Sequence, residues 1–383
     1  MIIVDEPYVS DELKDYLQST SHPVLDNAMA RLIVREGYAL ELVDDSACAE
    51  AIGAGQRLYT TSENALAWVN AHVHNPAMLR AIEVFKDKAL MRQLLAPLYP
   101  DFVFRTLSFE EMLVADFPAH AVPFVLKPSI GFCSVGVYTV TCEEDWEAAR
   151  AAIKNNVATW QTWYPQSVVG GSAFVIESYI EGTEFAIDAY YDQQGCACVL
   201  DILQHDFAST TDTSDRLYYT GAPIIREHKQ TFTTWLDNVN ALVKVRDFPV
   251  HVEVRVQDGR ITPIEFNPLR FAGLGGTEIA YYGYGFHPYD QYLRNSTPDW
   301  DEVLRDQDDR LFCMSVLGAP ADMCGTEIFD YESFLSHFKQ VFCLNRFDYH
   351  SLNAFGFLFF ATSAHDSSER DFLLNVDLRE FLH

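Results

Sequence analysis

The sequence predicts a mixed α/β and α+β fold: a parallel α/β unit, then a small α+β unit, then a largely antiparallel sheet. Three observations carry this. Strand-like and helix-like segments alternate over residues 1–85, the pattern of a parallel sheet with crossover helices. Residues 101–178 hold amphipathic helical segments around two strands joined by a glycine-bearing loop. From Phe174 onward strand patterns dominate, and "HVEVRVQDGRITPIEFNP" reads as a β-hairpin turning at Asp258-Gly259. The expected units are 1–100, 101–178 and 179–383.

Taken in order, Ile2–Val4 reads as a strand, and Ser10 can cap a helix over Asp11–Gln18. A helix over Asn27–Glu36 ends at Gly37, and Tyr38–Val43 is the next strand. "RLYTT" is a strand and "SENALAWVNAHV" a helix capped by Ser62. "VFKDKALMRQLLAPLYP" reads as one basic helix ending at Pro97. Ser108 with Glu111, and Thr141 with Glu144, have capping-box spacing. Strands are expected in "AFVIESYI", "EFAIDAYYD", "CACVLDILQH", "RLFCMSVL", "VFCLNRF" and "AFGFLFFAT", with a closing helix in "ERDFLLNVDLREFL".

Composition narrows the function. The 383 residues are 49% hydrophobic, enough for two or three units. No apolar run reaches the length of a membrane span, and "MIIVDEPYVS" lacks the basic and apolar regions of a signal peptide. A cytoplasmic protein is the expectation. With 27 basic against 55 acidic residues the formal charge is −28. No Lys/Arg cluster offers a surface for nucleic acid, so any phosphate site must be assembled locally. The 8 cysteines include no CxxC pair, which fits neither a zinc site nor a disulfide framework.

The hairpin is the first site candidate. Along "HVEVRV", His251, Glu253 and Arg255 share one face and the valines the other. Glu265 and Asn267 share a face on the return strand. A two-residue turn would pair Glu253 with Ile264 and part the acids. A three-residue loop, Gln257-Asp258-Gly259 with Gly259 left-handed, brings them together, and that loop is the expectation. Glu253, Glu265 and Asn267 then offer three oxygen ligands suited to Mg²⁺. In "FVLKPSIGFCSVGV" a strand delivers Lys127, and Gly131, Ser134 and Gly136 let backbone amides approach a phosphate. In "VIESYIEGTEFAID", Glu177 ends one strand and Glu184 opens another. Lys88 lies on a helix, where a lone lysine is ordinarily solvated.

The order of these four motifs resembles the ATP-grasp superfamily over Phe85 to Gly276, with residues 1–100 in the place of its pre-ATP-grasp domain, 101–178 in that of its lid and 179–383 in that of its catalytic subdomain. The resemblance implies that Lys88 and Lys127 bind the phosphates of ATP. Gly131, Ser134 and Gly136 would form the phosphate loop. Glu177, Ser178 and Ile180 would line the adenine hinge, and Glu184 would hold the ribose. Glu253, Glu265 and Asn267 would ligate one or two Mg²⁺, with Mn²⁺ as a substitute. Arg270 would be the catalytic arginine. The superfamily often reads N-P-R, however, and "NPLR" sets the arginine one residue later, so Arg255 competes for that role.

The resemblance further implies an ADP-forming ligase. A small carboxylate, such as an amino acid, becomes an acyl phosphate and is joined to an amine. A thiol-forming ligase or phosphotransferase on the same scaffold, or a nucleotide-binding module without turnover, are the alternatives. A homodimer is the superfamily expectation.

Overall fold

Three sheets follow one another along the chain in the computed structural model, which describes residues 1–131, 136–163, 170–209, 212, 214–320, 323, 326–349 and 353–383. The first sheet is parallel, in the order β3-β2-β1-β4. Its strands are β1 (Ile2–Ile3), β2 (Pro23–Leu25), β3 (Glu41–Val43) and β4 (Tyr59–Thr60), connected by α1 (Asp11–Thr20), α2 (Ala28–Arg35) and α3 (Asp45–Gly53). Ser10 accepts from the Leu13 amide and Asn27 from that of Ala30, which satisfies N–H groups left open at each helix start. Sequence reading misses β2, which is too short to show a period, and α3, whose apolar residues are mostly alanine. The strand expected over Tyr38–Val43 pairs only from Glu41.

Ser62 caps a short turn at Glu63–Ala65 that leads into α4 (Leu66–His72). The basic helix expected next is two helices, α5 (Pro76–Lys86) and α6 (Lys88–Leu95). Asp87 between them is extended (φ −93°, ψ 106°), and its carboxylate accepts from the Ala89 and Leu90 amides. A good N-cap residue thus starts a new helix in the middle of a helical pattern, and Lys88 becomes its first residue.

The second sheet is antiparallel, in the order β5-β8-β6-β7: β5 (Phe104–Ser108), β6 (Phe124–Ile130), β7 (Tyr138–Val140) and β8 (Gly170–Ser178). It carries α7 (Phe109–Val114) and α8 (Glu143–Trp163), and Phe124, Leu126, Trp146 and Phe174 fill the space between. The Ser108–Glu111 capping box forms. The second box does not. Helix α8 begins at Glu143, one residue later than a Thr141 cap requires, and Thr141 instead donates to Asp145 through its amide (2.9 Å) and hydroxyl (2.6 Å).

The third sheet is antiparallel, in the order β13-β12-β9-β10-β11-β14-β16-β15. It contains β9 (Thr183–Tyr191), β10 (Ala197–Asp206), β11 (Leu217–Gly221), β12 (Phe248–Gln257), β13 (Arg260–Pro268), β14 (Arg310–Gly318), β15 (Gln340–Arg346) and β16 (Ala354–Ser363). The long helix α9 (Ala222–Val243) packs against it. Phe85 of α5 stacks on Phe266 of β13, with ring centres 4.7 Å apart, and Trp235 of α9 lies beyond at 5.9 Å. Strand β13 is an edge strand, which tolerates Pro263 and Pro268. The closing segment is a helix (Ser368–Asn375) and a separate short turn (Leu378–Phe381) rather than one helix. Among the described residues no helix is long and apolar enough to cross a membrane.

Candidate active site

Strands β12 and β13 close through a two-residue turn: Gln257 pairs with Arg260, and Asp258 (φ 51°) and Gly259 (φ 76°) are both left-handed. Asp-Gly favours this turn because its twist matches that of the strands. The expected three-residue loop is therefore corrected. On turn geometry alone Glu253 would face Ile264. A β-bulge at Ile264 shifts the register, so Glu253 stands opposite Glu265 and His251 opposite Asn267. The acids still share a face, for a different reason from the one expected.

Their surroundings differ. Lys88 Nζ lies 2.9 Å from Glu265 Oε2, and Asn267 donates to Oε1 at 3.3 Å. Burial pushes the Glu265 carboxyl up, but Lys88 and Lys86 outweigh it and hold it at about 2. Glu253 moves the other way, well above the ordinary carboxylate range: burial drives it, and Glu265, Glu184 and Asp215 add like charge. Among the described residues no group of three or more His, Cys, Asp or Glu side chains is arranged to hold a metal ion. A cation here would need the Asn267 amide as third donor. Two facing acids, one forced toward its neutral form by burial and by anionic neighbours, fit a hard divalent cation held by oxygen, as Mg²⁺ or Mn²⁺ is.

Lys88 is buried, not solvated, and also donates to the Gly131 carbonyl at 3.2 Å. The Ser129 hydroxyl donates to Asp87, so the strand that carries Lys127 is tied to the start of α6. Lys127 is 2.6 Å from Glu177, and Arg92 grips the same carboxylate through Nε (2.8 Å) and Nη2 (3.0 Å). Burial opposes ionisation of Glu177, yet Lys127 and Arg92 bring it down to about 2. Gly136 is left-handed (φ 74°). Ser134 lies outside the described residues.

Beyond Glu177 the chain crosses from β8 to β9. Ser178, Tyr179 and Ile180 line a cleft of about 200 Å³ together with Phe102, Arg260 and Thr262. The crossing is tight: a Cβ on Gly182 (φ 111°) would lie 2.3 Å from the Val256 carbonyl oxygen, so only glycine fits. Arg255 donates to the Ile180 carbonyl (2.6 Å) and to Glu184 (2.9 Å), and His205 Nδ1 is 2.9 Å from the same acid. Arg255 therefore sits at the turn end of the hairpin.

Arg270 sits at the other end. The additional residue of "NPLR", Leu269, is left-handed (φ 61°), and its carbonyl accepts from the Thr60 amide at 2.8 Å. Arg270 is directed at Glu63 (3.1 Å), which also pairs with Lys86. Glu63, Lys86 and Arg92 pair with these candidate residues, and sequence reading did not single them out. Lys86 had a signal, since "KDK" places it two residues before Lys88. Glu63 had none beyond its place after a helix cap.

Residues 120–278 match the model of an ATP-grasp domain. The whole chain is similar in structure to an L-amino acid ligase from Bacillus licheniformis, at 16% identity and a TM-score of 0.69, covering 100% of this chain and 97% of that one. It is also similar to an N5-carboxyaminoimidazole synthase from Aspergillus clavatus in complex with ADP and 5-aminoimidazole ribonucleotide (14%, TM-score 0.62, 97% and 96% covered). A third similar structure is a biotin carboxylase from Campylobacter jejuni in complex with β-γ-ATP (11%, TM-score 0.59, 94% and 87% covered). A search of curated proteins finds no match. The chain has the ATP-grasp fold.

Proposed function

We propose that this ATP-grasp chain is an ATP-dependent ligase that activates a carboxylate as an acyl phosphate, releases ADP, and couples the acyl group to an amine. The observation that supports this most is the ordering of groups along one hairpin. A cleft at Ser178–Ile180 lies at one end, Glu253 opposite Glu265 with Lys88 in the middle, and Arg270 at the other. That order suits base, phosphates and acceptor in turn. The similarity to an L-amino acid ligase supports an amino acid as a substrate.

In this reading the Ser178–Ile180 backbone meets the adenine and Glu184 the ribose. Lys127 and Lys88 hold the phosphates, which a −28 chain could not otherwise attract. Glu253, Glu265 and Asn267 would hold Mg²⁺, whose charge neutralises the phosphate oxygens during transfer. A substrate carboxylate oxygen attacks the γ-phosphorus and ADP leaves. Arg270 and Lys86, aimed by Glu63, steady the acyl phosphate. The amine nitrogen then attacks the acyl carbon, and inorganic phosphate departs with the oxygen that made the first attack.

A screen of acid and amine pairs for ADP and phosphate release, with and without Mg²⁺, tests this. Release that needs both substrates and the metal supports a ligase. A stable phosphorylated product indicates a phosphotransferase, and ATP binding without ADP release from any pair indicates a binding module.

A further inference from the structure

Lys88 has two claims on it. As a phosphate ligand it must reach the nucleotide. In this structure its ammonium is committed to Glu265 Oε2 at 2.9 Å and to the Gly131 carbonyl at 3.2 Å. The second Glu265 oxygen accepts from Asn267 at 3.3 Å, so both oxygens of this acid are taken by donors of the chain. Glu253, directly across the hairpin, has no such donor among the described residues, and His251 Nε2 stands 3.8 Å away. A divalent cation bound by Glu265 competes with these donors, and Lys88 is the one that carries positive charge at the same carboxylate.

We infer that Lys88 occupies the place of the divalent cation at Glu265 and is handed to the phosphates when the metal arrives. The inference rests on the metal assignment proposed above. Its consequence is a coupling of the two ligands. Metal that displaces Lys88 frees it for phosphate, and phosphate that draws Lys88 away uncovers Glu265 for metal. Each ligand then strengthens the binding of the other by the same factor.

The two effects of losing Lys88 have opposite signs. Without its charge the facing acids are uncompensated, and their demand for a cation rises. The nucleotide meanwhile loses a phosphate contact. A purely structural lysine would weaken both ligands together.

The test titrates Mn²⁺ alone, followed by electron paramagnetic resonance, into the wild type, Lys88→Met, Lys88→Gln and Glu265→Gln. A non-hydrolysable ATP analogue is titrated separately by calorimetry. Either Lys88 variant, whichever folds, is expected to bind Mn²⁺ about tenfold more tightly and the analogue about tenfold more weakly. Mn²⁺ binding no tighter than wild type overturns the handover and leaves the metal assignment standing. Mn²⁺ binding undiminished in Glu265→Gln removes the metal assignment itself, and the handover with it.

Discussion

Glu253 stands opposite Glu265 because Ile264 is one residue more than its strand needs. The two acids share a face but not an environment. Glu265 is paired with buried Lys88, whereas Glu253 is crowded by Glu265, Glu184 and Asp215. Neutralising them should therefore have unequal effects on stability. Glu265→Gln leaves Lys88 buried without its acid and should destabilise by about 3 kcal/mol. Glu253→Gln relieves like-charge crowding and should stabilise by about 1 kcal/mol. Both should abolish ADP release. Denaturant unfolding beside a turnover assay checks the pair, and equal losses of stability would contradict the assignment.

Glu63 belongs to the first unit, yet it joins Lys86 to Arg270. Glu63→Gln keeps the shape and removes the charge that aims both cations. Turnover should fall by about 100-fold, with affinity for an ATP analogue within about threefold of wild type, since Lys88 and Lys127, proposed to hold the phosphates, remain. Glu63→Asp should recover part of the rate. Steady-state kinetics with separate calorimetry distinguishes this from a loss of fold.

Glu177 sets a limit on acid stability. Its folded carboxyl is lowered from 4.5 to about 2 against the effect of burial, by Lys127 and Arg92. The stabilisation is complete above the unfolded value and is lost as pH falls through the folded one. Arg92→Met raises the folded value, so acid unfolding should begin at a higher pH. Stability at neutral pH should fall by about 3 kcal/mol. Unfolding curves between pH 2 and 7 would show both.

Asp201 has the opposite sign. It is fully buried and accepts from the Ile202 amide and the Thr220 hydroxyl, each at 2.8 Å. Burial raises its carboxyl to about 7, helped by Asp188. The folded state thus holds a proton that the unfolded state releases, so stability declines as pH rises toward 7. Wild type should lose about 2 kcal/mol between pH 5.5 and 8.5 from this group. Asp201→Asn should flatten that decline, and an unchanged slope would show that Asp201 is not its source.

The residues legible in the sequence were those whose local pattern carries their meaning. The Lys127 strand runs through Pro128 and ends just before Gly131, and alternation along "HVEVRV" sets Glu253 apart from the valines. The partners that charge-balance the site were not legible, because they come from far along the chain. Arg92 and Glu177 are 85 residues apart, and Glu63 and Arg270 are 207 apart. Two local errors also have physical causes. Asp87 broke a helix because its carboxylate caps the next one. The turn at Asp258-Gly259 took the shape that its residues favour, and the bulge that rescued the register has no residue signature at Ile264.

In the proposed reaction a carboxylate oxygen of the substrate becomes part of the released phosphate. Turnover of a substrate acid labelled with ¹⁸O in its carboxyl group, with mass analysis of the inorganic phosphate, tests it most directly. An acyl phosphate route puts one labelled oxygen in each phosphate formed alongside the amide product. Unlabelled phosphate accompanying the same product would contradict an acyl phosphate route.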